Sequence, residues 1–113
     1  MTDCPFCAIA EGRLPARLVF DTDEVVAFHD IAPQAPVHVL VIPRRHIPSV
    51  ADAAGEDRDL LGALLLAAGE AARRCGIAHG FRLVVNSGAA AGQSVGHLHI
   101  HVLGGRALRW PPG

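Results

Sequence analysis

The chain has 113 residues, of which 50% are hydrophobic and 19% charged, and its formal net charge is -1. This length suits one domain over residues 1–113, and the charge gives no basic field that would attract nucleic acid or an anionic membrane. No apolar run approaches the roughly 20 residues that cross a bilayer, and the first residues lack the basic and then apolar pattern of a secretion signal. We therefore expect a cytoplasmic protein that binds neither nucleic acid nor membranes.

The N-terminal part of the chain predicts one short helix and three strands. The predicted elements are a helix over residues 4–12, strands at 18–20 and 25–28, a proline-bounded loop at 32–36 and a strand at 38–42. The last of these strands is apolar on both faces after His38 and stops at Pro43. This pattern is typical of a central strand that is covered on both sides.

The C-terminal part begins with one long helix, predicted over residues 57–75. Leucines and alanines recur there at three- and four-residue spacing, and Arg73 and Arg74 near its end suit the helix dipole. Its leucines are expected to cover a sheet or a second copy of the chain. The remaining predicted elements are a strand at 81–85, a small-residue loop at 86–96, a strand at 97–103 and an irregular tail at 110–113. This order predicts an α+β domain with a five-stranded, mainly antiparallel sheet.

The run His97-Leu98-His99-Ile100-His101 alternates histidine with aliphatic residues. Side chains on a strand alternate between its faces, so we predict that the three imidazoles share one face while Leu98 and Ile100 enter the core. Imidazoles titrate near neutral pH and serve as bases, nucleophiles and metal ligands. A solvent-facing strand that happens to be rich in histidine is the alternative, but strict alternation of three of the seven histidines argues against it.

Two functional interpretations of this strand remain open at this point. The row can hold a catalytic zinc ion, as His-x-His strands do in zinc hydrolases, or one histidine can be a nucleophile that the others position. The preceding loop favours the second, because residues 92–96 offer backbone N–H groups, a hydroxyl and an amide to an anion such as phosphate. A small-residue loop is also a common flexible connection, but its direct attachment to the histidine strand indicates a phosphate role.

The segment His97–Leu103 resembles the His-φ-His-φ-His-φ-φ signature of the histidine triad (HIT) superfamily, in which φ is a hydrophobic residue. Nearly the whole chain resembles the histidine triad nucleotide-binding (Hint) branch of that superfamily. The matching segments are residues 28–31, 35–38, 41–47, 84–86, 92–95 and 103–105 through 110–113. One departure is Gly96, which stands where the family has a tyrosine or phenylalanine just before the first triad histidine.

The resemblance implies a HIT-like fold in which the five-stranded sheets of two chains join across a homodimer, with the C-terminal tail reaching the partner's site. It also implies a purine nucleoside phosphoramidase, which hydrolyses P–N bonds and releases AMP from substrates such as adenosine 5′-phosphoramidate or lysyl-AMP. In this scheme His99 is the nucleophile and forms a nucleotidyl-histidine intermediate. Such covalent catalysis splits one hard displacement into two easier ones.

The same resemblance implies roles for the other site residues. His101 contacts the phosphate, Ser94 hydrogen-bonds the leaving-group atom, and Asp30 accepts hydrogen bonds from the ribose hydroxyls. In zinc-free relatives the histidine at the position of His38 belongs to a hydrogen-bond chain with the first triad histidine, here His97. The remaining nucleotide-binding residues are Phe6, Ile9, Leu14, Phe28 and Ile31 around the purine and Asn86, Gly92, Gln93 and Val95 near the phosphate or ribose.

Cys4 and Cys7 form a Cys-x₂-Cys pair, which alone is half of a structural zinc site or a redox pair. Three cysteines, an odd number, argue against a disulfide framework. Many bacterial members of the superfamily resemble this chain in holding zinc with two such cysteines, the histidine of a Pro-x-x-His stretch and the first triad histidine, here His46 and His97. A zinc-bound His97 cannot relay protons through the bound nitrogen, so we expect a structural zinc ion.

Two other functions remain alternatives to the phosphoramidase. One is a purine-nucleotide sensor or scaffold with incidental slow hydrolysis, since an intact nucleophile does not show that catalysis is the cellular role. The other is the zinc hydrolase. His29 and His79 are predicted to be surface or packing residues.

Overall fold

The computed structural model of the protein describes residues 4–113. The expectation of no secretion signal falls partly on residues 1–3, which lie outside the described residues. The helices are α1 (Pro5–Ala10) and α2 (Arg58–Arg74), and the strands are β1 (Leu18–Asp21), β2 (Val25–His29), β3 (Val37–Pro43), β4 (Phe81–Val84) and β5 (Ile100–Gly104). The five strands form one sheet in the order β1-β2-β3-β5-β4, and all neighbouring pairs are antiparallel. The predicted α+β architecture with one long and one short helix is confirmed.

Helix α2 covers one face of the sheet with an apolar stripe. Its buried residues are Leu60, Leu64, Ala67, Ala68, Ala71 and Ala72. They share a core cluster with Leu98, Ile100 and Val102 from the C-terminal part of the chain. The helix ends where Gly76 takes a φ of +76°, a left-handed conformation that glycine adopts without a steric penalty. No helix between residues 4 and 113 is long and apolar enough to cross a membrane.

Strand β3 lies in the middle of the sheet, as its continuous hydrophobic run predicts, and residues 38–43 are buried. Its alternate residues enter different cores. Val39 and Val41 face α2, whereas Leu40 and Ile42 join Phe28 and Phe6 in a second cluster on the opposite face. Helix α1 therefore covers part of the face that α2 leaves open.

The last strand begins three residues later than predicted, at Ile100 instead of His97. The register pairs Val41 with Ile100, so Leu98 would stand opposite Pro43. Proline has no N–H to donate to a strand ladder, and β3 ends at that residue. The backbone N–H of Leu98 instead donates to the carbonyl of Ile47 at 2.7 Å.

Candidate active site

A cavity of about 400 Å³ lies on the face of the sheet that α1 covers. Its lining residues are Pro5, Phe6, Ile9, Leu14, Pro15, Ala16, Phe28, His29, Asp30, Ile31, Leu40, Ser94, Val95, His99 and His101. Its walls are mainly apolar, and one carboxylate, one hydroxyl and three imidazoles interrupt them. A larger open groove of about 700 Å³, beside Arg82 and Arg106, contains none of the predicted site residues.

Ten of the thirteen predicted nucleotide-binding residues line this cavity. They are Phe6, Ile9, Leu14, Phe28, Asp30, Ile31, Ser94, Val95, His99 and His101. The structure also places His29, predicted to be a surface or packing residue, in the lining. Its position between the aromatic Phe28 and the polar Asp30, at the end of β2, was the available signal.

The three other predicted nucleotide-binding residues, Asn86, Gly92 and Gln93, lie outside the lining. The side-chain amide of Gln93 is occupied by the backbone. Its oxygen accepts from the N–H of Gly88 at 2.8 Å, and its nitrogen donates to the carbonyls of Pro48 at 2.7 Å and Val95 at 3.0 Å. Gln93 therefore holds the loop that carries Ser94, instead of pointing its amide into the cavity.

His99 is held in a defined orientation at the base of the cavity. It is 4% exposed, and its Nδ1 lies 2.7 Å from the carbonyl oxygen of His97. A carbonyl can only accept, so Nδ1 carries the proton and Nε2 of the neutral ring keeps its lone pair. The ring of Phe6 packs edge-on against this imidazole with centroids 5.1 Å apart. The burial and the two contacts leave His99 with an available basic nitrogen.

The neighbouring His101 has the opposite proton arrangement. The backbone N–H of Gln34 donates to Nδ1 of His38 at 3.0 Å, so the proton of a neutral His38 is on Nε2. That Nε2 lies 2.9 Å from Nδ1 of His101 and 3.4 Å from Oδ2 of Asp30. His38 therefore donates to His101, and His101 keeps its own proton on Nε2. One ring thus offers a lone pair and the next offers an N–H group.

This network differs from the hydrogen-bond chain that the resemblance gives to zinc-free relatives, in which the first triad histidine belongs with the histidine at the position of His38. His38 bonds to His101, whereas His97 is completely buried on a different set of contacts. The Nε2 of His97 lies 2.9 Å from the carbonyl oxygen of Pro43, so it carries the proton. Its Nδ1, with a lone pair, faces the two cysteines and His46.

Four possible metal ligands meet around this nitrogen. Nδ1 of His97 lies 3.3 Å from Sγ of Cys4, 3.6 Å from Sγ of Cys7 and 3.1 Å from Nδ1 of His46. All four donor atoms lie within 4.8 Å of one another. Two sulfurs and two imidazole nitrogens are the donor set of a Cys₂His₂ zinc site. The bond from His97 to Pro43 is also the kind of outer contact that fixes a metal-binding tautomer.

The burial of His101 predicts how the stability of the protein depends on pH. Burial, with smaller contributions from His99 and His38 and an opposing one from Asp30, lowers the pKa of His101 to about 4 from its ordinary 6.5. Between these values the unfolded chain binds a proton that the native chain lacks. The free energy of unfolding should therefore fall as the pH drops from 6.5 towards 4. Burial lowers the pKa of His38 in the same direction.

Urea denaturation at pH 7 and pH 5 measures this effect, and His101→Asn is the matched variant. We expect the variant to lose less stability than the parent between the two pH values. The free energy of unfolding of the parent should depend on the uptake of up to about one more proton on unfolding than that of the variant. Equal pH slopes in parent and variant would contradict the assignment of a neutral His101.

Comparisons with known proteins identify the family of this fold. The HIT domain matches residues 11–108. An uncharacterized HIT-like protein of Synechocystis sp. is 51% identical over 111 residues, which are 98% of this chain and 97% of the relative. The crystal structure of a HIT family hydrolase from Legionella pneumophila has a TM-score of 0.95 at 46% identity, over 98% of this chain and 100% of that one. The chain therefore belongs to the HIT domain family.

A more distant structure carries a nucleotide-binding name. The histidine triad nucleotide-binding protein of Candida albicans has a TM-score of 0.83 at 27% identity, over 96% of this chain and 83% of that one. The fold of this chain is thus shared by proteins described as HIT family hydrolases and by one described as nucleotide-binding. The resemblance of residues 97–103 to the HIT superfamily signature is confirmed as membership of the family.

Proposed function

We propose that this protein is a purine nucleoside phosphoramidase of the Hint branch, which hydrolyses P–N bonds and releases AMP from substrates of the adenosine 5′-phosphoramidate or lysyl-AMP type. One observation carries the proposal. Within a single cavity, His99 offers an imidazole lone pair while His101, 5.0 Å away between ring centroids, keeps an N–H group. Attack on phosphorus needs a nucleophile and a hydrogen-bond donor for the phosphoryl oxygens.

The cavity also has complementary surfaces for the rest of a nucleotide. Ile31 is 100% exposed and Leu14 is 42% exposed at its rim, so a purine ring placed between them would cover apolar surface that now faces water. Asp30 lies in the same lining, and its carboxylate can accept hydrogen bonds from the ribose hydroxyls. Ser94 occupies the loop side, where its hydroxyl is available to the leaving group.

In the first step, the lone pair on Nε2 of His99 attacks phosphorus and forms an N–P bond. The leaving nitrogen takes a proton from solvent, its bond to phosphorus breaks, and it departs with the electron pair as a neutral amine while Ser94 hydrogen-bonds it. The N–H of His101 donates to a phosphoryl oxygen during this displacement. The chain of His38 and the Gln34 amide keeps that proton on the cavity side of His101.

In the second step, water attacks phosphorus and the N–P bond to His99 breaks. The electron pair returns to Nε2, one proton of the water passes to solvent, and AMP remains in the cavity. The bond from Nδ1 of His99 to the carbonyl of His97 stabilises the positive charge that the ring carries while it is bonded to phosphorus.

The test compares adenosine 5′-phosphoramidate with the ethyl ester of AMP, which has the same nucleotide but a P–O–C linkage. We expect steady-state release of AMP and ammonia from the phosphoramidate and much slower release from the ester, because an alkoxide is a poorer leaving group than a protonated amine. The guanosine phosphoramidate reports whether both purines are accepted. Tight AMP binding without turnover of either phosphoramidate would overturn the enzyme proposal and favour the sensor or scaffold.

We further propose that Cys4, Cys7, His46 and His97 hold a structural zinc ion. The donor set fits, since two soft thiolates and two imidazoles suit tetrahedral zinc, and His97 already directs its lone pair towards the cysteines. When bound, zinc supplies a crosslink between the N-terminal segment and the histidine segment, and no chemistry on the substrate. All four of its ligands, His97 included, lie outside the cavity lining. An ion held there does not reach the substrate, so the zinc-hydrolase alternative would need its metal beside the cavity, where Asp30, His38 and His101 also bring donor atoms within 4.8 Å of one another.

We also propose that the protein is a homodimer, and the edge strand β4 supports this. The described part of β4 pairs with β5 on one side only. Beside it an apolar cavity of about 210 Å³ is lined by Val50, Leu61, Leu64, Leu65, Val85, Leu98 and Ile100. Leu65 and Val85 are 56% and 38% exposed, so a second copy placed there would cover both.

A further inference from the structure

Helix α1 belongs to two sites at once. Cys4 caps the helix and Cys7 lies in its first turn. The sulfur of Cys4 contacts His97 and that of Cys7 contacts His46, which are the other two donors of the cluster. Phe6 lies between these two cysteines in the sequence and lines the cavity, as Ile9 does one turn later. The same six-residue helix therefore presents sulfurs to the cluster and apolar walls to the cavity.

A helix of this length is not stable by itself, so its position depends on what holds it. Helix nucleation is unfavourable, and isolated helices shorter than about 12–15 residues are marginal in water. At its C-terminal end, the guanidinium of Arg44 donates to the carbonyl of Ala10 at 2.6 Å. At its N-terminal end, the polar contacts are those of Cys4 and Cys7 with the imidazoles. Neutral thiols make weak hydrogen bonds, so this end is the weaker of the two.

The ring of Phe6 links the weaker end to the centre of the cavity. It packs edge-on against His97 with centroids 5.9 Å apart and against His99 with centroids 5.1 Å apart. It also packs edge-on against Phe28, which lines the cavity, at 5.6 Å. Phe6 is 7% exposed, so its ring cannot move without disturbing one of these three neighbours.

We infer that Phe6 is a positioning residue that couples the cluster of Cys4, Cys7, His46 and His97 to the nucleotide cavity, so that zinc in the cluster raises the affinity for purine nucleotide. Zinc bonds fix the two cysteines on either side of Phe6, and the fixed ring keeps both the apolar wall and the orientation of His99. In a zinc-free chain only thiol–imidazole contacts hold the two cysteines, so α1 keeps more freedom of motion, and nucleotide binding has to restrict that motion at a cost in affinity. The inference rests on the proposed function, because it takes the cavity as the nucleotide site.

Coupling between two sites is reciprocal, so it can be measured from either ligand. We expect zinc to tighten AMP binding by about tenfold, within the usual range of coupling between sites, and AMP to tighten zinc binding by the same factor. Neither quantity is an activity, so turnover does not enter the test.

The experiment begins with protein purified without chelator, for which we expect about one zinc ion per chain. AMP affinity is measured by calorimetry on the zinc-loaded and zinc-free chains. Zinc affinity is measured by competition with a chelating indicator, with and without saturating AMP. The rate at which a chelator removes zinc from the loaded protein gives a third readout that does not need a folded zinc-free chain. We expect AMP to slow that removal.

Two variants of α1 separate coupling from simple wall contact. Ile9→Ala removes a wall residue that makes no ring contact with the histidines, so it should weaken AMP binding and leave the zinc effect near tenfold. Phe6→Ala should still bind both ligands, but the factor by which each ligand tightens binding of the other should fall from about ten towards one. Phe6→Leu restores bulk without the aromatic edge and should recover AMP affinity more than it recovers coupling.

The outcomes distinguish the two proposals. Zinc affinity and zinc removal that are unchanged by AMP would overturn the coupling and leave the phosphoramidase standing. An unaltered coupling factor in Phe6→Ala would overturn the route through Phe6. A chain that binds no zinc would also overturn the inference. Absence of AMP binding in both the loaded and the zinc-free chain would overturn the proposed function itself.

Discussion

Replacement of His99 by alanine should abolish phosphoramidate hydrolysis while leaving AMP binding in place. The expected loss in kcat is about 10³-fold or more, because removal of a nucleophile leaves only binding and electrostatic contributions to catalysis. The variant keeps the apolar walls and Asp30, so the dissociation constant for AMP should change far less than kcat. Steady-state kinetics and calorimetry on the same preparation measure the two quantities.

The hydrogen-bond pattern explains why the effect should belong to His99 and not to its neighbours. Nδ1 of His99 is committed to the carbonyl of His97, which leaves Nε2 as a base. His101 carries its proton on Nε2 and cannot attack phosphorus through that atom. We therefore expect His101→Ala to lower the rate without preventing the covalent intermediate. Trapping of a protein–adenylyl adduct, detected by mass spectrometry, should succeed in the parent and fail in His99→Ala.

His79→Ala is the matched control, since His79 is exposed and lies outside the cavity lining. It should retain the parent's kcat and form the adduct. If His99→Ala keeps measurable turnover close to that of the His79→Ala control, the nucleotidyl-histidine mechanism is wrong. If neither the parent nor the control turns over any phosphoramidate but both bind AMP, the chain is a nucleotide-binding module.

Much of the fold could be predicted from hydrophobic spacing. The three- and four-residue recurrence of leucine and alanine predicts α2 to within a residue at each end, since the structure begins it at Arg58 and ends it at Arg74. The unbroken apolar run after His38 predicts a covered central strand, and β3 takes that place in the sheet. In both segments burial determines which side chains face the core, and burial is what the pattern of residue types records.

The features that the sequence did not predict depend on partners distant along the chain. Alternation at residues 97–101 predicts a strand from His97, but the sheet register brings Pro43 opposite Leu98 and moves the strand start to Ile100. Similarly, the amide of Gln93 resembles a phosphate ligand in a small-residue loop, yet Pro48 and Gly88 take its hydrogen bonds. Such contacts follow from tertiary structure, and local patterns do not contain them.

The histidine segment keeps its alternation of side chains between the two faces of the sheet, and this places the imidazoles in the site. Leu98 and Ile100 enter the core beneath α2, whereas His97 and His99 face Phe6 on the opposite side. The imidazoles are therefore supported from behind by aliphatic packing. The three histidines then differ through their partners: Pro43 for His97, a main-chain carbonyl for His99 and His38 for His101.

The packing behind the histidine segment predicts a large loss of stability for Leu64→Ala. Leu64 is 1% exposed and lies in the α2 core cluster with Leu98 and Ile100. Truncation removes buried methyl groups and leaves a cavity that the surrounding helix and sheet fill only in part, so the free energy of unfolding should fall by about 2–5 kcal/mol. Leu66, two residues along the same helix, is 76% exposed, and Leu66→Ala should change stability by no more than about 0.5 kcal/mol. Urea denaturation of both variants under identical conditions measures the difference, and equal losses would show that α2 does not hold the sheet through this stripe.

Because Leu98 and Ile100 flank His99 in the sequence, Leu64→Ala should also lower kcat at temperatures where the variant is still folded, whereas Leu66→Ala should not.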